Sequence, residues 1–264
     1  DGSLSGSGRS LRNLLASLDR SQFAPRVLLT QDGPVRDLYG SLGIPVDVVP
    51  AFRFGTSPGP QPYTLSWLLN WRAFLPSPAL SRYLKEQDWD LLHINDKAAI
   101  PVGLAARNMN KPVVWHVRSS YFPTASRLNA RISARTIRSI ADHIIVISED
   151  EVDGFENFEP KTTIYNSVDF EKVARAAAMR ENTRRALGLQ ENSLLVGQVS
   201  TSIGAVRGTW DFLRACGRVN AALQNPALRF MVVAAIPNRE NFKPNEPHPL
   251  DVAWQIVIVG DIVQ

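Results

Sequence analysis

The residues whose types and spacing point most directly to chemistry lie over 193–215, S-L-L-V-G-Q-V-S-T-S-I-G-A-V-R-G-T-W-D-F-L-R-A. An apolar run over 194–199 leads into a polar loop with Gly204, then Arg207 and Gly208, then a helical pattern carrying Trp210, Leu213 and Ala215. A strand, a loop and a helix with a cation at its entry make a site for negative charge. Free backbone N–H groups and the positive end of the helix dipole converge there. Arg207 adds a planar fork of donors matched to phosphate oxygens; the plainer alternative is a solvated loop cation.

Other polar residues stand where short apolar runs end. The run over 91–94 leads out through Asn95 and Asp96, and the run over 113–117 closes W-H-V-R, with His116 and Arg118. In a parallel sheet, ligands collect at the carboxyl ends of strands. For Asn95, Asp96 and Arg118 the competing reading is a surface hydrogen bond, and for His116 a histidine satisfied by neighbouring backbone. His93 precedes the end of its strand and reads as core packing. No Ser–His–Asp arrangement can be placed, and no Asp-x-Asp pair stands at a strand end. The single cysteine, Cys216, excludes an internal disulfide and a zinc spacing; on its predicted helix it reads as a small packed side chain.

The elements that must position these residues alternate. A glycine–serine stretch, D-G-S-L-S-G-S-G-R-S-L, runs into a helix over 9–18 with Leu11, Leu14, Leu15 and Leu18 as its apolar face. Strands are expected over 27–30, 46–49, 91–94, 113–117, 144–147 and 163–165. Helices are expected through Leu38 and Leu42, then over 64–74, 78–87, 98–108, 126–140 and 149–155. Over 67–75, Leu68, Trp71 and Leu75 recur at helical spacing beside Trp67 and Phe74, as a core stripe does; stacking on a sugar ring is the alternative. The stretch 50–62 is a long loop of the kind that forms lids or substrate loops. A polar helical piece over 170–187 ends at Gly188. A second alternation then follows: strand 194–199, helix 208–222, strand 228–234, strand 255–259. Short strands alternating with helices imply an α/β fold with a parallel sheet covered on both faces.

With 264 residues, 44% hydrophobic and 20% charged, the chain has room for two modest α/β domains. The net charge of +4 suits an anionic ligand such as a nucleotide, or an acidic membrane surface, and is too mild to argue for nucleic acid. No run of 18 apolar residues predicts a membrane span. Arg127, Arg131, Arg135 and Arg138 line one side of the 126–140 helix. They form either a solvated face beside a Leu128–Ile132–Ile140 stripe or a basic surface for a membrane.

Several segments in order carry a resemblance: A-D-H-I-I-V-I-S-E (141–149), T-I-Y-N-S-V-D (163–169), R-R-A-L-G-L (184–189) and V-G-Q-V-S…V-R-G-T-W-D-F-L-R-A. With S-L-S-G-S-G-R-S-L, G-P-V-R-D-L-Y-G-S-L-G-I-P-V and W-H-V-R, they resemble the retaining, family 4 glycosyltransferases of the GT-B fold. The resemblance implies two Rossmann-like domains: an acceptor-side domain over 1–169, a linker with connecting helices over 170–192, and a partial donor domain over 193–264. It implies transfer of a hexosyl group from a nucleotide diphosphate sugar to a hydroxyl acceptor, a sugar or a lipid-linked one. Retention of configuration, no metal and no cofactor beyond the co-substrate are part of the expectation.

By the same resemblance Arg207 meets the donor diphosphate, with Gly208 beside it, and Gln198 stands where a second phosphate-binding arginine is found. Gly6 and Ser7 form the glycine loop that approaches the donor phosphate. His116 is the histidine that contacts the transferred sugar, and Gly260 is the glycine after a donor-domain strand. Asn95, Asp96 and Arg118 would meet the acceptor. The first strand and the C-terminal segment with paired glutamates are not in the sequence, so an internal fragment of weak or absent turnover is expected. The expected location is cytoplasmic, with peripheral contact at the inner membrane face for a lipid-linked acceptor. A nucleotide-sugar epimerase of the same architecture and a non-catalytic sugar- or nucleotide-binding module are the alternatives.

Overall fold

The computed structural model describes residues 5–52, 54, 71–119, 127–150, 154–200, 208–234 and 256–259. The chain divides into two compact units, Asp1–Val168 and Asp169–Gln264. Both are α/β with parallel pairing throughout the described strands, consistent with a Rossmann-like fold.

In the first unit, α1 (Gly6–Ser17), β1 (Val27–Leu29), α2 (Val35–Gly40) and β2 (Val46–Val48) form one layer pair. β1 and β2 pair in parallel, and Leu15, Val27, Leu29, Val35, Tyr39 and Ile44 close a small core between them and the helices. Helix α1 starts earlier than the apolar pattern predicts, because Ser5 caps it: its hydroxyl accepts from Gly8 N–H at 3.3 Å. Leu15 is buried as expected, whereas Leu14 points to solvent at 39% exposure. Gly43, at φ +70°, turns the chain from α2 toward β2.

The larger sheet runs β3 (Leu92–Asn95), β4 (Val113–Val117), β5 (His143–Val146), β6 (Lys161–Thr163), with α3 (Pro78–Glu86), α4 (Ile100–Ala106) and α5 (Arg127–Arg138) in the sequence around them. Strand alternation explains which side chains become core. Val113, Trp115 and Val117 leave one face of β4 and join Ile94, Ile144 and Val146 with residues of α3, α4 and α5. Trp115 is fully buried. Helix α4 approaches it so closely that a Cβ on Gly103 would lie 2.4 Å from the indole ring. The outer strand β6 is Lys-Thr-Thr, a polar edge that discourages further strand addition.

Two expectations are corrected here, and a third lies mostly outside the described residues. In α5 the buried line is Asn129, Ser133, Ala134 and Ile137, while Leu128 is 52% exposed; the inner face is set by register rather than by hydrophobicity alone. Arg131, Arg135 and Arg138 are exposed, and the Arg127 side chain lies outside the described residues. The described part of the expected 149–155 helix is not helical: Gly154 sits at φ +83° and Phe155 buries itself beyond it. Of the 64–74 helix only Trp71–Phe74 is described, as one 3-10 turn. Phe74 there packs edge-on to buried Phe54 and against Trp71, while Leu75 is exposed. Trp67, Leu68 and most of the 50–62 loop lie outside the described residues.

The second unit opens with α6 (Phe170–Ala178) and α7 (Arg180–Ala186), a break at Met179 dividing the helical piece expected over 170–187. Asp169 caps α6, its carboxylate accepting from Lys172 N–H at 2.9 Å. Neither helix has a buried residue. Gly188, at φ +66°, ends α7. The sheet is β7 (Leu194–Ser200), β8 (Leu228–Ala234), β9 (Ile256–Val259), with α8 (Thr209–Leu223) between β7 and β8. Cys216 of α8 is buried, as are Phe230 and Val232 of β8, and burial pushes the Cys216 thiol pKa up. Among the described residues no helix is long and apolar enough to cross a membrane.

Candidate functional site

Register assembles the site. β3 and β4 pair so that Asn95 lies beside His116. Side chains two apart on a strand share a face, so His93 and Asn95 of β3 stand on one face with His116 of β4 and Arg118 just past it. Trp115, Val117 and Ile94 occupy the opposite, apolar face. The polar cluster therefore stands at the carboxyl end of the sheet, on the side where Asn95 reaches α1.

Asn95 is the bridge. Arg118 Nε donates to its Oδ1 at 2.6 Å, and its own Nδ2 donates to the Ser7 carbonyl at 3.2 Å. A guanidinium only donates, so the amide orientation follows from its partner. Tyr39 Oη donates to the next carbonyl, Gly8, at 3.1 Å. The start of α1 is thus held from two sides. Gly6 is the first residue of α1, with a negative φ, and a Cβ built on it meets no atom within 4 Å. Among the described residues, protein packing does not demand a glycine there.

Asp96 follows at φ +80°, a strained conformation for a residue with a side chain. Its Oδ1 accepts from Lys97 N–H at 2.7 Å, Ser119 Oγ at 3.0 Å and Arg118 N–H at 3.4 Å. Its backbone N–H donates to the His116 carbonyl at 2.8 Å. This carboxylate binds the end of β3 to the end of β4. Lys97 beside it is fully buried.

Arg118 is the hub. Besides Asn95, it donates through Nη1 to Asn166 Oδ1 at 2.7 Å and faces His116 Nδ1 through Nη2 at 3.3 Å. His93 Nε2 faces the same Nδ1 at 3.3 Å, the two rings edge to face. His116 is only 5% exposed, and its Nε2 finds no partner among the described residues. Burial, then the Arg118 charge, then His93 push its pKa down to about 3. Burial and Arg118 hold His93 at about 4. Both imidazoles are neutral near pH 7. Burial lowers the pKa of Arg118, an effect opposed by Asp96 and Tyr39, and lifts the Tyr39 phenol to about 12.

Of the residues singled out from sequence, Ser7, Asn95, Asp96, His116 and Arg118 meet in one bonded network, with Gly6 next to Ser7. Gln198 lies within β7 and Gly208 is the N-cap of α8 at φ +68°, a left-handed conformation suited to glycine; both belong to the second unit. Arg207 and Gly260 lie outside the described residues. Sequence reading missed Tyr39 and Asn166 and placed His93 in the core. The two-residue spacing of His93 and Asn95 was the available signal; the others arrive from distant segments.

The profile of the glycosyl transferase 4-like domain matches residues 5–163, which hold this whole cluster except Asn166. The chain belongs to that family. Membership supports glycosyl transfer as the general activity. Comparison with curated proteins gave no match. The match ends at the last residue of β6, so the elements that build this glycosyl transferase 4-like domain are those of the first unit. Among the described residues no group of three or more His, Cys, Asp and Glu is arranged to hold a metal ion.

Proposed function

We propose that the protein moves a hexosyl group from a nucleotide diphosphate sugar to a hydroxyl acceptor, with retention of anomeric configuration and without a metal, in a two-domain GT-B arrangement. The observation that supports this most is His116: a neutral imidazole at a strand end, nearly excluded from solvent, with one nitrogen that has no partner among the described residues. Such a buried polar group costs stability unless something completes it, and a sugar hydroxyl or a phosphate oxygen does so.

In the reaction the bond between the anomeric carbon and the diphosphate oxygen breaks, and the acceptor oxygen bonds to that carbon on the same face. The acceptor proton leaves with the departing phosphate. Charge grows on the diphosphate, and fixed donors lower that barrier. Arg207, with Gly208 at the start of α8 and Gln198 on β7, are the proposed donor contacts of the second unit. The capped start of α1 at Gly6 and Ser7 supplies backbone N–H groups from the first. Asn95, Asp96 and Arg118 frame the edge along which the acceptor approaches.

Incubation with labelled UDP-, GDP- and ADP-sugars separates this reading from its alternatives. Transfer with retained configuration is the outcome that supports it. Free isomerised sugar would identify an epimerase, and binding without turnover a non-catalytic module. Arg207→Ala should weaken nucleoside diphosphate binding on the order of 100-fold while sparing the nucleoside; equal losses contradict its assignment.

A further inference from the structure

We propose that Arg118 is a positioning residue that fixes the tautomer of His116, so that this imidazole carries its hydrogen on Nε2 as a hydrogen-bond donor and does not act as a base. The chemistry of the partners carries the inference. Arg118 Nη2 and His93 Nε2 both face His116 Nδ1 at 3.3 Å. A guanidinium has five N–H groups and no acceptor. Nδ1 of His116 is therefore the acceptor in that contact and carries no hydrogen. The other partner must agree: His93 Nε2 holds its hydrogen and donates to the same Nδ1. A neutral imidazole keeps one hydrogen, and His116 keeps it on Nε2, the buried atom without a partner among the described residues. The polarity of the relay runs from His93 and Arg118 into His116 and out through Nε2–H.

Arg118 is held for this task. Asn95 takes its Nε and Asn166 its Nη1, at 2.6 and 2.7 Å, so the planar fork cannot rotate away from the imidazole. Without the guanidinium, the hydrogen bond between the two histidines could run in either direction, and His116 could place its hydrogen on Nδ1. A group that only donates at Nε2 selects a ligand oxygen with lone pairs, a hydroxyl or a phosphoryl oxygen, and leaves the acceptor proton to be removed by something else.

The inference rests on reading His116 as the group that faces the ligand, but its test needs no sugar. Two-bond nitrogen–proton correlation spectra of the ¹⁵N-histidine-labelled chain report the tautomer directly. In the wild type, and in His93→Phe, His116 should show a protonated Nε2 and a bare Nδ1, widely separated in shift. In Arg118→Leu the two nitrogens should move toward a common average as the Nδ1–H form appears. Three outcomes overturn the proposal: a wild-type His116 protonated at Nδ1, an Arg118→Leu spectrum identical to wild type, or a His93→Phe variant that loses the Nε2–H form. Should Arg118→Leu fail to fold, the wild-type and His93→Phe spectra decide. A chain that transfers no sugar leaves these spectra unchanged, so the two readings fail separately.

Discussion

The two units are written in the same alternation of strands and helices, yet they bury their strands differently. In the first, Trp115, Ile144 and Val146 have no measurable exposure, and the strand-end residues Asn95 and Arg118 are bonded to each other, to Ser7 and to Asn166. In the second, Val199 of β7 is 80% exposed and α6 and α7 bury nothing. Identical local grammar therefore does not decide how firmly a site is held. What matters is whether the strand below has an apolar face in a closed core, so that its other face can carry polar groups without yielding.

The sharpest way to break this comparison is to damage one strand of each sheet. Trp115→Ala should cost about 3–5 kcal/mol, as expected for emptying a fully occupied core site, whereas Val199→Thr should stay within about 0.5 kcal/mol. Urea unfolding of both variants measures the two costs, and similar losses would mean that burial is not what separates the units.

Acid is a second lever, acting where the histidines lie. His93 and His116 have folded-state pKa values of about 4 and about 3, below the unfolded value, so the unfolded chain takes up protons first. Stability should be level above about pH 7.5, fall as pH drops through about 6.5, and level off only below the folded values. At pH 5 the loss is about 2 kcal/mol per histidine. Urea midpoints at pH 5 and 7.5, for the wild type and His116→Gln, check this; a wild-type stability flat across that range would show that the pair is not held neutral by the fold.

A smaller loss than either of these belongs to the start of α6. Asp169→Ala removes the cap of α6 and should cost about 1 kcal/mol. The change should be local to that helix: hydrogen exchange in 170–178 should quicken while β4 amides keep their protection.

Much of the scaffold was legible in the sequence because continuous apolar runs such as Ile144–Ile147 admit few other readings. A glycine marked one helix end in advance, Gly188 after α7. Other features depend on which face meets which neighbour. Asn129 and Ser133 are buried and Leu128 is not, an order that hydrophobicity ranks in reverse. The site was legible as a set of strand-end residues and illegible as a network. Asn95 and His116 are neighbours only because β3 and β4 pair in that register, and Tyr39 and Asn166 reach the cluster across long stretches of chain. His93 was assigned to packing because nothing in its own segment reveals the imidazole across the ladder.

The contact between Gly103 and Trp115 has a consequence for how this protein can change over generations. A bare hydrogen on one helix and an indole on one strand are a joint choice: a methyl at position 103 fits only if the ring opposite becomes smaller, and a smaller ring leaves a void that only a larger neighbour fills. Neither position can drift alone, so the distance between α4 and the strand bearing His116 is inherited as a pair of residues rather than as either one.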